Sequence, residues 1–359
     1  MADLSGFFKK FMHGVANAGD MVIVAINSGA CGVSCFLSIA LFPVLVSAGP
    51  PPDWITLGVE EVYPKGAYIT ACGRGKTAKK AEEDAVRALG LYLSAEVSSI
   101  VYDRESYSSK TGYDAEAYSK TLVKSEMKLF AMRQAGAWYD GGKKTWRALA
   151  LIDRAEAWAM FEPRARKEAD EFRSLWKAAE SEKSALKSYF DYRAAYNFAR
   201  RDEFVNTMTF GEALYPKKMD ALNADVRKNT AQLSTKLNRA RNAAQIFISA
   251  NKDFESNIKG TLTKLLSGED LIITVNKKRA AAICAATVDE GFKRVEAGYF
   301  YYPKISVTIT DTRGAALFSY SASADKQGAM DADVAKRRAY GALAAALENN
   351  FIGKMNGEL

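Results

Sequence analysis

The chain has 359 residues, 48% of them hydrophobic and 26% charged, with 50 basic side chains, 42 acidic ones and a single histidine. That composition describes a globular chain with a proper core and room for about two domains, not a disordered one. The histidine, His13, lies in the first 48 residues, so their removal would leave 311 residues with no Ser-His-Asp or Cys-His catalysis and no histidine-containing metal site.

Those first residues read as an export signal: Lys9 and Lys10 supply positive charge, Cys35 to Ala48 is apolar, and Val46-Ser47-Ala48 offers small residues for a cut between Ala48 and Gly49. Two alternatives stay open, a retained membrane anchor and lipidation at Cys31 or Cys35. Against the anchor, Asn27, Ser28, Gly29, Gly32 and Pro43 interrupt the run, and a span needs about 20 mainly apolar residues. Neither cysteine has an aliphatic residue three places before it. The expected address is therefore export to the periplasm, with outer-membrane association open.

Residues 49–163 are expected to form an α+β module. A strand over Ala67–Cys72 leads into a glycine turn, Gly73-Arg74-Gly75. Thr77 caps a helix over about 78–97 with Ala81, Ala85, Ala88, Leu89, Tyr92 and Val97 on its apolar face. Strand-forming residues follow over 98–107, then a loop near 110–112, and 118–133 fits helix or strand. A hairpin is legible in Ala135–Tyr139, the turn Asp140-Gly141-Gly142 and the strand Thr145–Ile152.

Residues 164–266 read as helical throughout. Tyr189, Phe190, Tyr192, Tyr196, Phe198 and Phe204 load two short helices, Pro216 marks a break, and Met219, Leu222, Val226, Leu233, Leu237, Ala240, Ala244 and Phe247 follow a near-heptad spacing. Residues 267–359 return to α+β. Leu271–Val275 is expected as a strand and Lys277–Glu290 as an alanine-rich helix holding Cys284. A hairpin is expected over Ile305–Thr310 and Ala316–Ala322, and a closing helix over about 332–349. Cys72 and Cys284 read as buried thiols rather than a disulfide. The fold class is α+β, two small modules joined by a helical middle segment.

Three lures of chemistry can be weighed. Gly73-Arg74-Gly75-Lys76-Thr77, with Asp153 as a distant Mg²⁺ strand, resembles a phosphate loop, but Thr70 stands where its first glycine belongs. Gly73, Gly75 and Ala78 fit a dinucleotide fingerprint only loosely. Glu60-Glu61 and Glu82-Glu83-Asp84 lie among lysines and read as solvated faces rather than acid–base pairs. No catalytic residue, metal or cofactor is expected.

Charge is more informative. Residues 166–266 carry 19 basic and 13 acidic side chains, six of the chain's net +8. The aromatic–basic run Lys187–Arg201 would grip nucleic acid or a sugar polymer, or form the core of a helical hairpin with its arginines in water. Arg193, Arg200, Arg201, Lys217 and Lys218 are the candidate contacts for envelope proteins or an anionic envelope polymer, with no nucleic acid expected and membrane association open. The alternative function is binding or cleavage of envelope polysaccharide by paired carboxylates.

Pro52-Asp53-Trp54, Tyr68–Gly75, then Ala78, Ala81, Glu82, Ala85 and Leu89, and later Trp138-Tyr139-Asp140 with Ala148–Arg154, together resemble the Lpp-twenty lipoprotein family. The likeness covers about residues 49–160. It implies a non-enzymatic envelope protein that binds or scaffolds others, flagellar accessory proteins being among its members. Such proteins are often lipid-anchored, and this chain departs from them in lacking a convincing lipidation motif.

Overall fold

The computed structural model describes residues 49–105, 120–123 and 132–359. The expected signal and its cut after Ala48, Cys31, Cys35, His13, the loop at 110–112 and most of 118–133 lie outside them. Two single-turn helices, α1 (Asp53–Thr56) and α2 (Val59–Val62), precede strand β1 (Tyr68–Gly75) and helix α3 (Ala78–Glu105). Strands β2 (Arg133–Asp140) and β3 (Thr145–Asp153) complete an antiparallel sheet in the order β1-β3-β2. Residues 120–123 form a helical turn that buries Leu122 and Val123.

Gly73 and Gly75 are not a turn. They are the end of β1, in register with Ala148 and Trp146 of β3. Helix α3 lies directly on them: a Cβ at Gly73 would fall inside the backbone of Ala81 and Ala85, and one at Gly75 would come 2.5 Å from the Ala81 nitrogen. The glycines remove side chains so that helix and strand can touch. Thr77 caps as expected, its Oγ1 accepting from the Lys80 N–H at 3.3 Å. The buried face of α3 is Ala81, Ala85, Leu89, Leu93 and Val97. Tyr92, expected inside, is exposed, and the helix runs on through Ser98–Glu105, where strand was expected. Four-residue spacing persisting through Val97 and Val101 outweighs their β-branching.

Four helices follow: α4 (Arg154–Ser181), α5 (Ala185–Ala199), α6 (Asp202–Leu214) and α7 (Pro216–Ala243). Asp153 starts α4 by accepting from the N–H groups of Ala155 (2.8 Å) and Glu156 (3.1 Å). The helix runs across Pro163, so a module edge placed there falls inside it. An interior proline costs about 3 kcal/mol, offset here by burial of Trp158, Phe161 and Ala165 on either side. Pro216 opens α7 in its first turn, where a missing N–H costs nothing. Met219, Val226, Leu233 and Ala240 are its buried stripe. The helix stops at Ala243, and Phe247 belongs to a strand.

That strand, β4 (Ile246–Ala250), is a correction to the all-helical reading of this stretch. After α8 (Asn257–Gly268) come β5 (Ala282–Asp289), β6 (Lys293–Val295), β7 (Gly298–Tyr301), β8 (Lys304–Asp311), β9 (Ala316–Ser323), β10 (Gln327–Ala329) and α9 (Ala332–Glu358). The main sheet is ordered β4-β5-β8-β9, with β4 and β5 parallel, and a small sheet β10-β7-β6 continues from its strands. Leu271–Val275 makes only one bridge, Ile273 to Ile246, and Val275 is exposed. Lys277–Glu290 is not a helix but a single turn followed by β5. Its Ala282, Cys284, Ala286 and Val288 alternate inward, and burial in a sheet overrides alanine's helix propensity. The β8–β9 hairpin forms as expected, its turn held by Asp311, which accepts from Arg313 N and Ala315 N at 2.9 Å each. Helix α9 outruns its expected end because Phe351 and Met355 are buried.

The architecture is mixed α+β. The described residues belong to one compact unit, Ala48–Leu359, whose main hydrophobic core runs from Ile69 through the helical layer to Met355, with a small separate cluster of Tyr301, Ala335 and Ala339.

Candidate functional site

The five candidate cations divide by what they touch. Arg193 on α5 donates to Glu269 Oε2 at 2.6 Å and to Asn356 Oδ1 at 2.8 Å, with its guanidinium 4.7 Å from the Phe190 ring centre. It ties α5 to the end of α8 and to α9. Arg200 donates to the Tyr196 hydroxyl at 3.0 Å and leans on that ring. Arg201 lies 3.8 Å over Phe198 and within 3.5 and 3.6 Å of Glu168 and Glu171 on α4. Arg193 and Arg201 each stack on a ring and pair with a carboxylate at once, which suits them to holding helices together, whereas Arg200 packs only on Tyr196 one turn back.

Lys217 and Lys218 differ. Both are exposed in the first turn of α7, immediately after Pro216. Cations there face the positive end of the helix dipole and weaken the helix. The Lys218 charge helps to hold the Glu162 carboxyl of α4 below its ordinary range, after the larger hydrogen bonds from Arg166 and Trp158. Lys228 and Arg239 extend the exposed basic face along the same helix. They were missed in the sequence, although the stripe that buries Val226 and Ala240 already turns them outward. The remaining charge on α7 is partly tied: Arg173 of α4 grips Asp225 at 2.7 and 2.8 Å, and Arg227 pairs with Asp220 at 2.6 Å.

Acids gather at Glu168, whose carboxyl is raised above its ordinary value by burial first and by Glu203 second, with Arg201 opposing. At 2% exposure it is closed to a sugar chain. Glu60 pairs with Lys65, and Asp84 accepts from Arg74 N and pairs with Arg87, so these are the solvated faces expected. The phosphate-loop reading fails on geometry: Tyr68 pairs with Asp153 and Gly75 with Trp146, leaving Asp153 five residues from Gly73 and seven from Gly75, roughly 17 and 24 Å. Cys72 and Cys284 are free. Cys284 is buried, its thiol pushed up to about 12, whereas Cys72, expected inside, is exposed on β1. Among the described residues no cluster of His, Cys, Asp or Glu fits a metal, and no helix is long and apolar enough to cross a membrane.

No known protein family matches the chain, and no curated protein matches it either. Among solved structures it is similar to a secreted protein of Helicobacter pylori, HP1454, with 12% identity over 82% of this chain and 99% of that one and a TM-score of 0.31. Lipoprotein GNA1162 of Neisseria meningitidis is 16% identical over 31% of this chain and 99% of its own, with a TM-score of 0.21. A minor lipoprotein of Acinetobacter baumannii is 6% identical over 32% and 94%, with a TM-score of 0.23. At such scores the likeness carries no argument about function.

Proposed function

We infer that this chain is an exported, non-enzymatic component of the cell envelope that binds or scaffolds other envelope components. The observation that carries the reading is the exposed basic face of α7, Lys217, Lys218, Lys228 and Arg239, in the segment that holds most of the chain's positive excess. Lysines that weaken their own helix terminus have a use outside it. An acidic protein surface or anionic polymer would meet them, gaining encounter rate and modest affinity that salt screens. The Lpp-twenty resemblance adds the finer expectation of flagellar or outer-membrane assembly proteins as partners, in the periplasm or at the outer membrane.

The test is affinity capture of the chain cross-linked in its native envelope, with mass spectrometry of bait and partners. Recovery of envelope assembly proteins, lost at high salt, supports the reading. Recovery of sugar polymer fragments alone would move the weight to glycan binding or cleavage. Capture indifferent to salt between about 0.05 and 0.5 M would remove the electrostatic account.

A further inference from the structure

Residues 49–165 are almost neutral in sequence, with 17 basic and 16 acidic side chains, yet the fold gathers seven of those cations at one end of the β1-β3-β2 sheet. Arg74 and Arg147 are directly opposed across β1 and β3. Because Gly73 and Gly75 meet α3, strand alternation turns both arginines to the opposite face. Lys76 follows β1 at that end, and Lys143 and Lys144 lie in the turn between β2 and β3. Lys79 and Lys80 stand in the first turn of α3. All of these but Arg147 are exposed.

The acid among them is Asp140. One of its oxygens accepts from the Lys143 N–H at 3.1 Å and the other pairs with Arg147 at 3.3 Å. Along α3 the acids begin a turn later, and Asp84 there is paired with Arg87. Among the described residues the other six cations make no ion pair. Like charges in direct cross-strand register and lysines at a helix N-terminus both oppose folding; an external anion would offset both.

The chain enters its folded unit at the same place. Trp138 of β2 is directly opposite Arg147, so Trp138, Arg147 and Arg74 form one row about 10 Å across. The Trp138 indole donates to Gly49 O at 3.0 Å. In sequence Gly49 follows the apolar run Cys35–Ala48.

We propose that this basic end is a membrane contact: it takes the phosphate headgroups of anionic lipid and holds the folded unit against the bilayer where the chain enters it. Charge complementarity and place select the occupant. Guanidinium groups in register suit phosphate oxygens, and cations spread over a strand end, a turn and a helix start suit a plane of phosphates better than one small ion. An apolar segment beside a polybasic patch is the pairing that keeps a protein on a bilayer, where either alone binds reversibly. The inference is independent of the partner reading built on α7.

Co-sedimentation of the full chain with vesicles of phosphatidylcholine, alone or with about 30% phosphatidylglycerol, reads the contact. Anionic lipid should strengthen partition at least about tenfold at low salt, and less as salt rises. Lys76→Glu/Lys143→Glu should remove most of that gain at an unchanged melting temperature. The control Lys277→Glu/Lys278→Glu, the same charge change on exposed lysines elsewhere, should keep it. If the first pair fails to fold, Arg74→Gln takes its place. Equal partition to both vesicles, an undiminished gain in the Lys76/Lys143 pair, or an equal loss in the control would overturn the proposal. So would release by about 10 mM inorganic phosphate beyond that of matched salt, which would assign the cations to a free phosphate ligand.

Discussion

Two groups of cations lie within thirty residues of each other in the helical layer and take opposite roles. Arg193, Arg200 and Arg201 on α5 and at the start of α6 turn to the protein, gripping Glu269, Tyr196 and Glu168 while stacking on neighbouring rings. Lys217 and Lys218 on α7 turn away from it. The difference follows side-chain chemistry. A guanidinium satisfies a carboxylate and a ring together, whereas an ammonium keeps its water. Net charge alone therefore does not locate a binding face: part of the positive excess in this segment is internal structure.

Mutations can sharpen or break the contrast. The largest effect belongs to the contact between β1 and α3: Gly73→Ala drives a methyl into the backbone of α3 and should cost about 3 kcal/mol, read in urea unfolding. Next comes Arg193→Ala, which removes the charge partner of half-buried Glu269, leaving it the Asn356 amide at 3.2 Å, and should cost about 2 kcal/mol. An unchanged melting temperature would mean that this arginine is no staple. Arg201→Ala should act through pH. Burial raises Glu168 above the ordinary carboxylate value of 4.5, so the folded state binds its proton more tightly than the unfolded chain. That contribution is full below about pH 4.5 and is lost as pH rises through the raised value. Removing Arg201 should steepen the loss and Glu168→Gln should abolish it, as melting temperatures against pH would show. The smallest effect on stability is expected of Lys217→Glu/Lys218→Glu, which should melt at or slightly above the wild type because acids suit a helix N-terminus.

The fold was legible wherever local pattern and burial agreed. The β2–β3 hairpin, Thr77 as a cap, Pro216 as a break between helices and the β8–β9 turn all have short-range signals that the structure obeys. It was misread where small residues serve close packing. Gly73 and Gly75 look like a turn but let a helix touch a strand, and Lys277–Glu290 looks helical but supplies a strand, Ala282–Asp289, whose small inward side chains include Cys284. Neither could be seen without the partner element. The same holds for the candidate site. The positive excess was readable, but which arginines have internal partners depends on Glu168, Glu269 and Asn356, between 33 and 163 residues away in sequence.

The most direct test of the division between structural arginines and binding lysines is quantitative cross-linked capture from the native envelope, comparing wild type with Lys217→Glu/Lys218→Glu at matched expression and melting temperature. The account predicts that the salt-sensitive partners recovered with the wild type fall at least about tenfold in the variant. Equal recovery from a variant that folds normally would contradict it.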